Sequence, residues 1–464
     1  MKIAKISRFF LFSLTTVFVT NCGAGSAVNG QNACLAQTRY VFGGVSDQAT
    51  SSSSECISDA ADGDSIANLP TSPSPLDHLF LGANVQDASE IDALNLENGP
   101  EAYQLSLTGT DNFAALSSRS KVTSFLSKCQ DAGAVPIITL ATLFNRAYTT
   151  ESQFVYRLTQ EANIHYFFSQ LTALLDLTDA TESKVTILLE PRLFESFLNS
   201  YGESGLPSQI TVPTYLIYDA SYLDKTVDPT FENTLPGFIA ATNYYFLKTR
   251  SDQQSMAWQI GLNAASAIPF LDDFRSDMSE TNRSATIHQK AITWAGLTDA
   301  LGYHSYGLNL LGFKLEGDAS YHCATQISLT ACKPAMNAKD WENLTDFLWE
   351  LHNESDFSFL LNGVSFGHLE GTLTSTAAYD MAGTYLFGGN FTITDAYFSR
   401  YTEHSTAVGA NYTYAGDGIA ALYDAFVVGI LFGDAEAQDI DYTNDAGWWL
   451  TQVQSFAGDS YPVD

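Results

Sequence analysis

The stretch Val185-Thr186-Ile187-Leu188-Leu189-Glu190-Pro191-Arg192 indicates the fold of this chain. The run Val185–Leu189 is a short, continuous series of aliphatic and β-branched side chains. Such a run is typical of a parallel strand that is buried on both faces, because helices cover both sides of a parallel sheet. Parallel neighbours need long crossover connections, so this strand predicts an α/β fold.

Similar apolar runs recur along the chain and alternate with longer segments of helical periodicity. Eight strands with mostly helical crossovers in roughly 360 residues predict a (β/α)8 TIM barrel. A doubly wound open sheet is the alternative, but no G-x-G-x-x-G follows the first strand and no G-x-x-x-x-G-K-[ST] occurs. The predicted strands are Leu79–Ala83, Ala102–Leu107, Val135–Leu140, Val185–Leu189, Met256–Leu262, Ala300–His304, Phe357–Leu361 and Phe426–Phe432.

The N-terminus has the order of an export signal. Lys2, Lys5 and Arg8 precede a short apolar run, and Cys22 stands where a signal peptidase would cut. Residues 1–21 resemble a bacterial lipoprotein signal, although Asn21 replaces the usual small residue before the cysteine. The resemblance implies a lipid on Cys22 and a location in the cell envelope, anchored in the outer membrane or at the cell surface. An ordinary secretory signal is the alternative.

Residues 22–75 are small and polar, with a serine run at 51–54 and a proline-rich end at 70–75. This composition is typical of a flexible tether, so we expect the folded domain to occupy residues 76–464. The chain carries 52 acidic and 21 basic residues, a formal net charge of −31. Such a surface repels phosphate backbones, so we expect no nucleic-acid partner.

The cysteines predict local disulfides and no metal site. No pair has the C-x-x-C spacing of a zinc or redox motif, and we predict neither a metal nor a cofactor. In an exported chain, the simplest pairing joins Cys34 to Cys56 and Cys323 to Cys332, and leaves Cys129 as a buried thiol.

The most specific candidate for chemistry is Glu190, which directly follows the fourth predicted strand. Catalytic groups of TIM barrels stand at the C-terminal ends of strands. We expect Pro191 to keep Glu190 extended, and apolar surroundings to raise its pKa so that it serves as a general acid. A purely structural ion pair of Glu190 with Arg192 is the alternative.

Two carboxylates across a cleft would indicate glycoside hydrolysis, with one as the acid and the other as the nucleophile or base. If Glu190 is the first, the candidates for the second are Glu370, Asp434 and Glu195. Other polar groups are expected near the same end of the barrel, where they would contact a carbohydrate. These predicted binding residues are Arg192, Asn263, Tyr303, His304, Tyr306 and His368.

From about residue 79 onward, the chain resembles bacterial TIM-barrel proteins of the cellulase-like, glycoside hydrolase-related type. The resemblance rests on short matches in a consistent order, which are Gly133-Ala134-Val135-Pro136-Ile137, Leu189-Glu190-Pro191, Gly261-Leu262-Asn263, Phe366-Gly367-His368 and Val428-Gly429-Ile430-Leu431-Phe432-Gly433. It implies an exported, lipid-anchored glycoside hydrolase acting on a β-linked polysaccharide or its oligosaccharides. A non-catalytic glycan-binding or assembly lipoprotein on the same fold is the alternative, favoured by the loss of an aromatic platform at Leu361–Ser365.

Overall fold

The structure is a computed structural model, and it describes residues 76–108, 116–144, 150–181, 184–262, 274, 280–315, 336–372, 381–392, 409–433, 445 and 447–456. The predicted signal, Cys22, the tether and both predicted disulfides lie outside these residues, as do Asn263 and Asp434. Cys129 is a buried free thiol on a helix, as the sequence predicts.

Eight strands close into a barrel, in the spatial order β1 (Phe80–Val85), β11 (Val427–Phe432), β7 (Ser358–Val364), β6 (Leu310–Leu315), β5 (Gln254–Leu262), β4 (Val185–Leu189), β3 (Val135–Ala141) and β2 (Ala102–Thr108). Every neighbouring pair is parallel, and β1 pairs with both β2 and β11, which closes the sheet. The prediction of a (β/α)8 TIM barrel is therefore confirmed.

Helices occupy most of the crossovers between the strands. Among the described residues, none of these helices is long and apolar enough to cross a membrane. The helices are α1 (Ser89–Leu94), α2 (Leu116–Ala132), α3 (Glu151–Thr159), α4 (Glu161–Asp179), α5 (Leu193–Tyr201), α6 (Leu216–Asp219), α7 (Leu235–Thr249), α8 (Glu280–Leu301), α9 (Ala338–Ser355), α10 (Met381–Phe387), α11 (Gly418–Asp424) and α12 (Trp448–Phe456).

A small second sheet follows β7. Its strands are β8 (Gly371–Thr372), β9 (Gly389–Thr392) and β10 (Asn411–Tyr414), with β9 in the middle. The ring of Phe391 stacks on Tyr412 and Tyr414 of the neighbouring strand. The sequence did not predict this sheet, because its strands are short and carry few apolar residues.

The core has two parts. The larger part lies between the outer face of the barrel and its helices, and a smaller apolar cluster fills the barrel interior. Phe80, Ala102, Val135 and Leu310 belong to the inner cluster, and each is the first residue of its strand. The N-terminal end of the barrel is thus closed by apolar side chains, which leaves the C-terminal end for polar groups.

Seven of the eight predicted strands coincide with barrel strands to within two or three residues. The sixth prediction is wrong, because residues 300–304 form the end of α8 and the turn after it. The true sixth strand is Leu310–Leu315, whose apolar run is interrupted by Gly312 and Lys314. Side chains alternate between the two faces of a strand, and Leu310 faces the barrel interior, so Gly312 and Lys314 also lie on the inner face.

Candidate ligand site at the C-terminal end of the barrel

Glu190 follows β4 and is completely buried. Its Oε1 accepts hydrogen bonds from the backbone N–H of Thr142 at 2.9 Å, the Thr142 hydroxyl at 3.0 Å and the N–H of Leu143 at 2.9 Å. Its Oε2 accepts from the N–H of Phe144 at 2.8 Å. The carboxylate therefore holds the segment that follows β3, and each of these partners is a donor.

The backbone of Glu190 is not extended, contrary to the expectation drawn from Pro191. Its φ of 46° lies in the left-handed region that non-glycine residues rarely adopt. Burial raises the pKa of Glu190, whereas the hydrogen bonds from Thr142, Leu143 and Phe144 act in the opposite direction. This geometry supports a role in anchoring the loop, because both carboxyl oxygens already accept hydrogen bonds from the Thr142–Phe144 segment. The role of Glu190 as a proton donor stays a prediction.

Arg192 and Glu195 form an ion pair beside Glu190. Nη1 of Arg192 lies 3.2 Å from Oε2 of Glu195, and both side chains are buried. Arg192 thus pairs with Glu195 at the start of α5 and not with Glu190, the partner proposed for it from the sequence. Glu195 is therefore engaged as an ion-pair partner at this end of the barrel.

Tyr303, His304 and Tyr306 lie between α8 and β6, so they precede a strand instead of following one. The expectation that they stand at the C-terminal end of the barrel is wrong, for the same reason as the misplaced sixth strand. Tyr303 is buried and stacks on Trp258 with ring centroids 5.5 Å apart. His304 stacks on Phe357 at 3.7 Å, and Tyr306 packs against Tyr244. These side chains belong to the packing of the barrel.

His368 and Glu370 follow β7, as predicted, and they lie near each other. Nε2 of His368 is 3.5 Å from Oε2 of Glu370, whose side chain is 66% exposed. The imidazole stacks on the indole of Trp448 with centroids 4.0 Å apart and planes within 6°. Burial lowers the pKa of His368, although the charges of Glu370 and Asp445 favour its protonated form.

Two asparagines from β1 and β7 meet at the C-terminal end of the barrel. Nδ2 of Asn84 donates to Oδ1 of Asn362 at 3.1 Å, and also to the backbone carbonyl of Gly433, just after β11. Asn84 is partly exposed, whereas Asn362 is buried and its Nδ2 has no hydrogen-bond partner. A buried donor without an acceptor is costly, so this atom is a candidate ligand contact.

A second polar cluster crosses the barrel interior. Nε2 of Gln104 on β2 lies 2.6 Å from the hydroxyl of Thr139 on β3, and Nε2 of Gln259 on β5 lies 3.2 Å from the same oxygen. Oε1 of each glutamine is buried without a partner. If the amide O and N atoms of either glutamine were exchanged, its nitrogen would take the place of the oxygen and would be the atom without a hydrogen-bond partner.

Lys314 adds a positive charge to the same region. It lies one residue before the end of β6 and its residue is only 7% exposed. Its register partners are Gly261 on β5 and Asn362 on β7. Paired positions on adjacent parallel strands direct their side chains to the same face, so Lys314 and Asn362 share the barrel interior.

The arrangement suits recognition of a polar ligand. Amides offer both donors and acceptors, as the hydroxyls of a sugar require. Within the described residues, no group of three or more His, Cys, Asp or Glu side chains could hold a metal ion. This amide set was not predicted from the sequence, although the sequence carries a signal for it: polar residues at alternate positions within otherwise apolar strands. They are Asn84, Gln104, Thr139, Gln259, Lys314 and Asn362.

No protein-family model matches the sequence, and no curated protein is significantly similar to it. Among solved structures, the chain is similar to a GH5-4 broad-specificity endoglucanase from Clostridium longisporum, with 11% identity, a TM-score of 0.40, and coverage of 80% of this chain and 84% of that one. A family 1 β-glucosidase from Thermotoga maritima gives 11% identity, a TM-score of 0.40, and coverage of 81% and 86%.

An HpcH/HpaI aldolase from Desulfitobacterium hafniense is also similar, with 12% identity, a TM-score of 0.27, and coverage of 77% of this chain and 86% of that one. The closed eight-stranded parallel sheet defines the fold by itself.

Proposed function

We propose that this chain is a carbohydrate-binding TIM-barrel protein whose C-terminal end recognises a hydroxyl-rich ligand without hydrolysing it. The observation that carries the proposal is the set of buried amides with unfilled hydrogen-bonding capacity, namely Gln104, Gln259 and Asn362. A sugar supplies the matching donors and acceptors from its hydroxyls. Asn84, which is partly exposed and bonded to Asn362, lies where a ligand would first meet this set.

The arrangement of carboxylates favours binding over hydrolysis. A glycoside hydrolase requires two carboxyl groups on either side of the scissile bond. Among the described candidates, Glu190 is enclosed by the loop after β3, Glu195 is paired with Arg192, and Glu370 points largely to solvent beside His368. None of the three combines exposure to the barrel axis with a free carboxyl oxygen.

The cellular setting is part of the proposal and rests on the N-terminal sequence. We propose that residues 1–21 direct export and that Cys22 carries a lipid, so that the barrel is held at the cell envelope by a tether. A lipid-anchored binding protein would capture glycans at the cell surface, and the high negative charge would keep it apart from nucleic acids.

The test is a comparison of binding and hydrolysis on the same glycans. The full chain is titrated calorimetrically with a panel of monosaccharides and oligosaccharides, and release of reducing ends is followed in parallel. We expect binding without turnover. Replacing Asn362 by the isosteric leucine should weaken binding about tenfold, the size of one hydrogen bond to a ligand, whereas Asn353→Leu on the exposed face of α9 should not. Turnover by the wild type, or no binding to any glycan, would overturn the proposal.

A further inference from the structure

We infer that the segment Leu76–Leu79 is a pH-sensitive strap at the N-terminal end of the barrel, held closed by a protonated His78 between the carboxylates of Asp77 and Glu101. The segment, called the strap below, leads directly into β1. It lies at the opposite end of the barrel from the proposed ligand site, so its behaviour is independent of the proposed function.

Both ring nitrogens of His78 face carboxylate oxygens. Nδ1 lies 2.9 Å from Oδ1 of Asp77, and Nε2 lies 2.7 Å from Oε1 of Glu101. An ionised carboxylate only accepts hydrogen bonds, so each of the two nitrogens has to carry a hydrogen atom. A neutral imidazole has one N–H and the protonated ring has two, so both hydrogen bonds form together only when His78 is charged.

Glu101 is the partner that ties the strap to the barrel. Its backbone N–H donates to the carbonyl of Leu81 at 2.9 Å, and its own carbonyl accepts from the N–H of Val135 at 2.8 Å. These bonds continue the sheet between β1, β2 and β3, so the position of Glu101 is fixed. The hydrogen bond between His78 and Glu101 is partly buried, whereas Asp77 is exposed, so solvent screens the Glu101 pair less.

Leu76 gives the strap an apolar contact. Its side chain is partly buried and packs against the cluster inside the barrel, which includes Phe80 and Val135 at the starts of their strands. Leu79, at the other end of the strap, is completely buried in the larger part of the core. His78 lies between these two contacts, so loss of its ion pair would release Leu76 before Leu79, which adjoins β1.

The surrounding charges set the pH at which the strap opens. Burial lowers the pKa of His78, but the hydrogen bonds and charges of Glu101 and Asp77 outweigh it and raise that pKa above its usual value. Lys184, ahead of β4, acts on Asp77 and helps to lower the pKa of that carboxyl. The ion pair is therefore complete below about pH 6.5 and is lost as the pH rises through the raised pKa of His78. Release of residues 76–78 would lengthen the predicted tether by about 10 Å of extended chain.

The experiment follows the strap in the full chain from about pH 5.5 to 8.5, on either side of the usual pKa of histidine. NMR of the imidazole rings gives the pKa of His78, whose signal is identified by its loss in His78→Gln. Hydrogen–deuterium exchange, corrected for the intrinsic effect of pH, gives the protection of residues 76–81. We expect His78 to titrate above its usual value and the protection to fall about fivefold across that pKa. Glu101→Gln should lower the pKa of His78 and remove most of the pH dependence. His288→Gln, which removes a histidine bonded to Glu350 on α9, is the matched control and should change neither.

Each alternative result contradicts a named part of the inference. A His78 that titrates at or below its usual pKa, or one whose pKa is unchanged in Glu101→Gln, would show that the carboxylates do not hold it in the charged form. A raised pKa with equal protection at every pH would show that the ion pair does not close the strap. Equal loss of protection in His288→Gln would indicate a general loosening of the barrel and would also overturn the role of His78.

Discussion

The backbone N–H of Phe144 donates a 2.8 Å hydrogen bond to the side chain of Glu190, so the end of β4 fixes the path of the chain after β3. Thr142 and Leu143 add three more donors to the same carboxylate. The left-handed backbone of Glu190 costs conformational energy, which the surrounding hydrogen bonds offset. The carboxylate of Glu190 thus anchors the Thr142–Phe144 segment at the position for which the sequence predicts a catalytic acid.

Glu190→Gln should destabilise the barrel. The new NH₂ group would face N–H donors instead of accepting from them, which leaves buried donors unpaired and lowers the free energy of unfolding by about 1–3 kcal/mol. Urea unfolding followed by circular dichroism measures this change. Glu354→Gln, on the exposed face of α9, is the control and should have little effect. If Glu190 were instead a general acid, the variant would keep its stability and lose turnover by about 10²–10⁴-fold.

Gly429→Ala should strain the barrel interior. A Cβ at Gly429 would lie 2.3 Å from the ring of Phe80, and overpacking of this kind costs about 1–3 kcal/mol. Combining it with Phe80→Leu should recover part of the loss, so the two changes should be non-additive in a double-mutant cycle. Gly296→Ala is the matched control, because nothing lies within 4 Å of its new methyl group on α8. Equal effects of the two glycine substitutions would contradict this account.

Stability should fall as the pH drops below about 6.5, the usual pKa of histidine. Burial lowers the pKa of His304, which stacks on Phe357, and burial likewise lowers that of His368. The unfolded chain then takes up protons before the folded chain does, so the contribution of these histidines is complete above pH 6.5 and is lost as the pH falls towards their folded pKa. Unfolding free energies measured from pH 7.5 to 5.5 should decline less steeply in His304→Gln. Parallel curves for the two proteins would rule out this role for His304.

Lipid attachment at Cys22 is tested by metabolic labelling with palmitate. The wild type should incorporate label and fractionate with membranes, whereas Cys22→Ser should remain unlabelled and be released in soluble form. Cys34→Ser is the control, since it removes a cysteine from the same part of the chain without touching the predicted acylation site. Equal labelling of wild type and Cys22→Ser would show that the N-terminus is not a lipoprotein signal.

The prediction of Val185–Leu189 succeeded because a strand covered on both faces is apolar at every position. The same rule failed for Leu310–Leu315, where a glycine and a lysine occupy inner positions of the strand. Residues 300–304 resemble a strand in the sequence, because the buried end of a helix can carry a similar short apolar run. Because the sixth strand was predicted at the wrong position, Tyr303, His304 and Tyr306 were expected at the C-terminal end of the barrel, whereas they precede β6.

The sequence by itself determined the α/β class, most of the barrel strands and the buried thiol of Cys129, because local apolar runs and helical periodicity report burial directly. Only the tertiary structure decided the candidate site. Asn84 and Asn362 are 278 positions apart and meet through barrel closure, and Gln104 and Gln259 converge on Thr139 from strands that are far apart in the chain. The tertiary structure also decided the surroundings of Glu190, because the four N–H and O–H groups that donate to its carboxylate belong to residues nearly fifty positions earlier in the chain. Hydrogen-bond partners of this kind are fixed by the register and closure of the sheet, which no local pattern encodes.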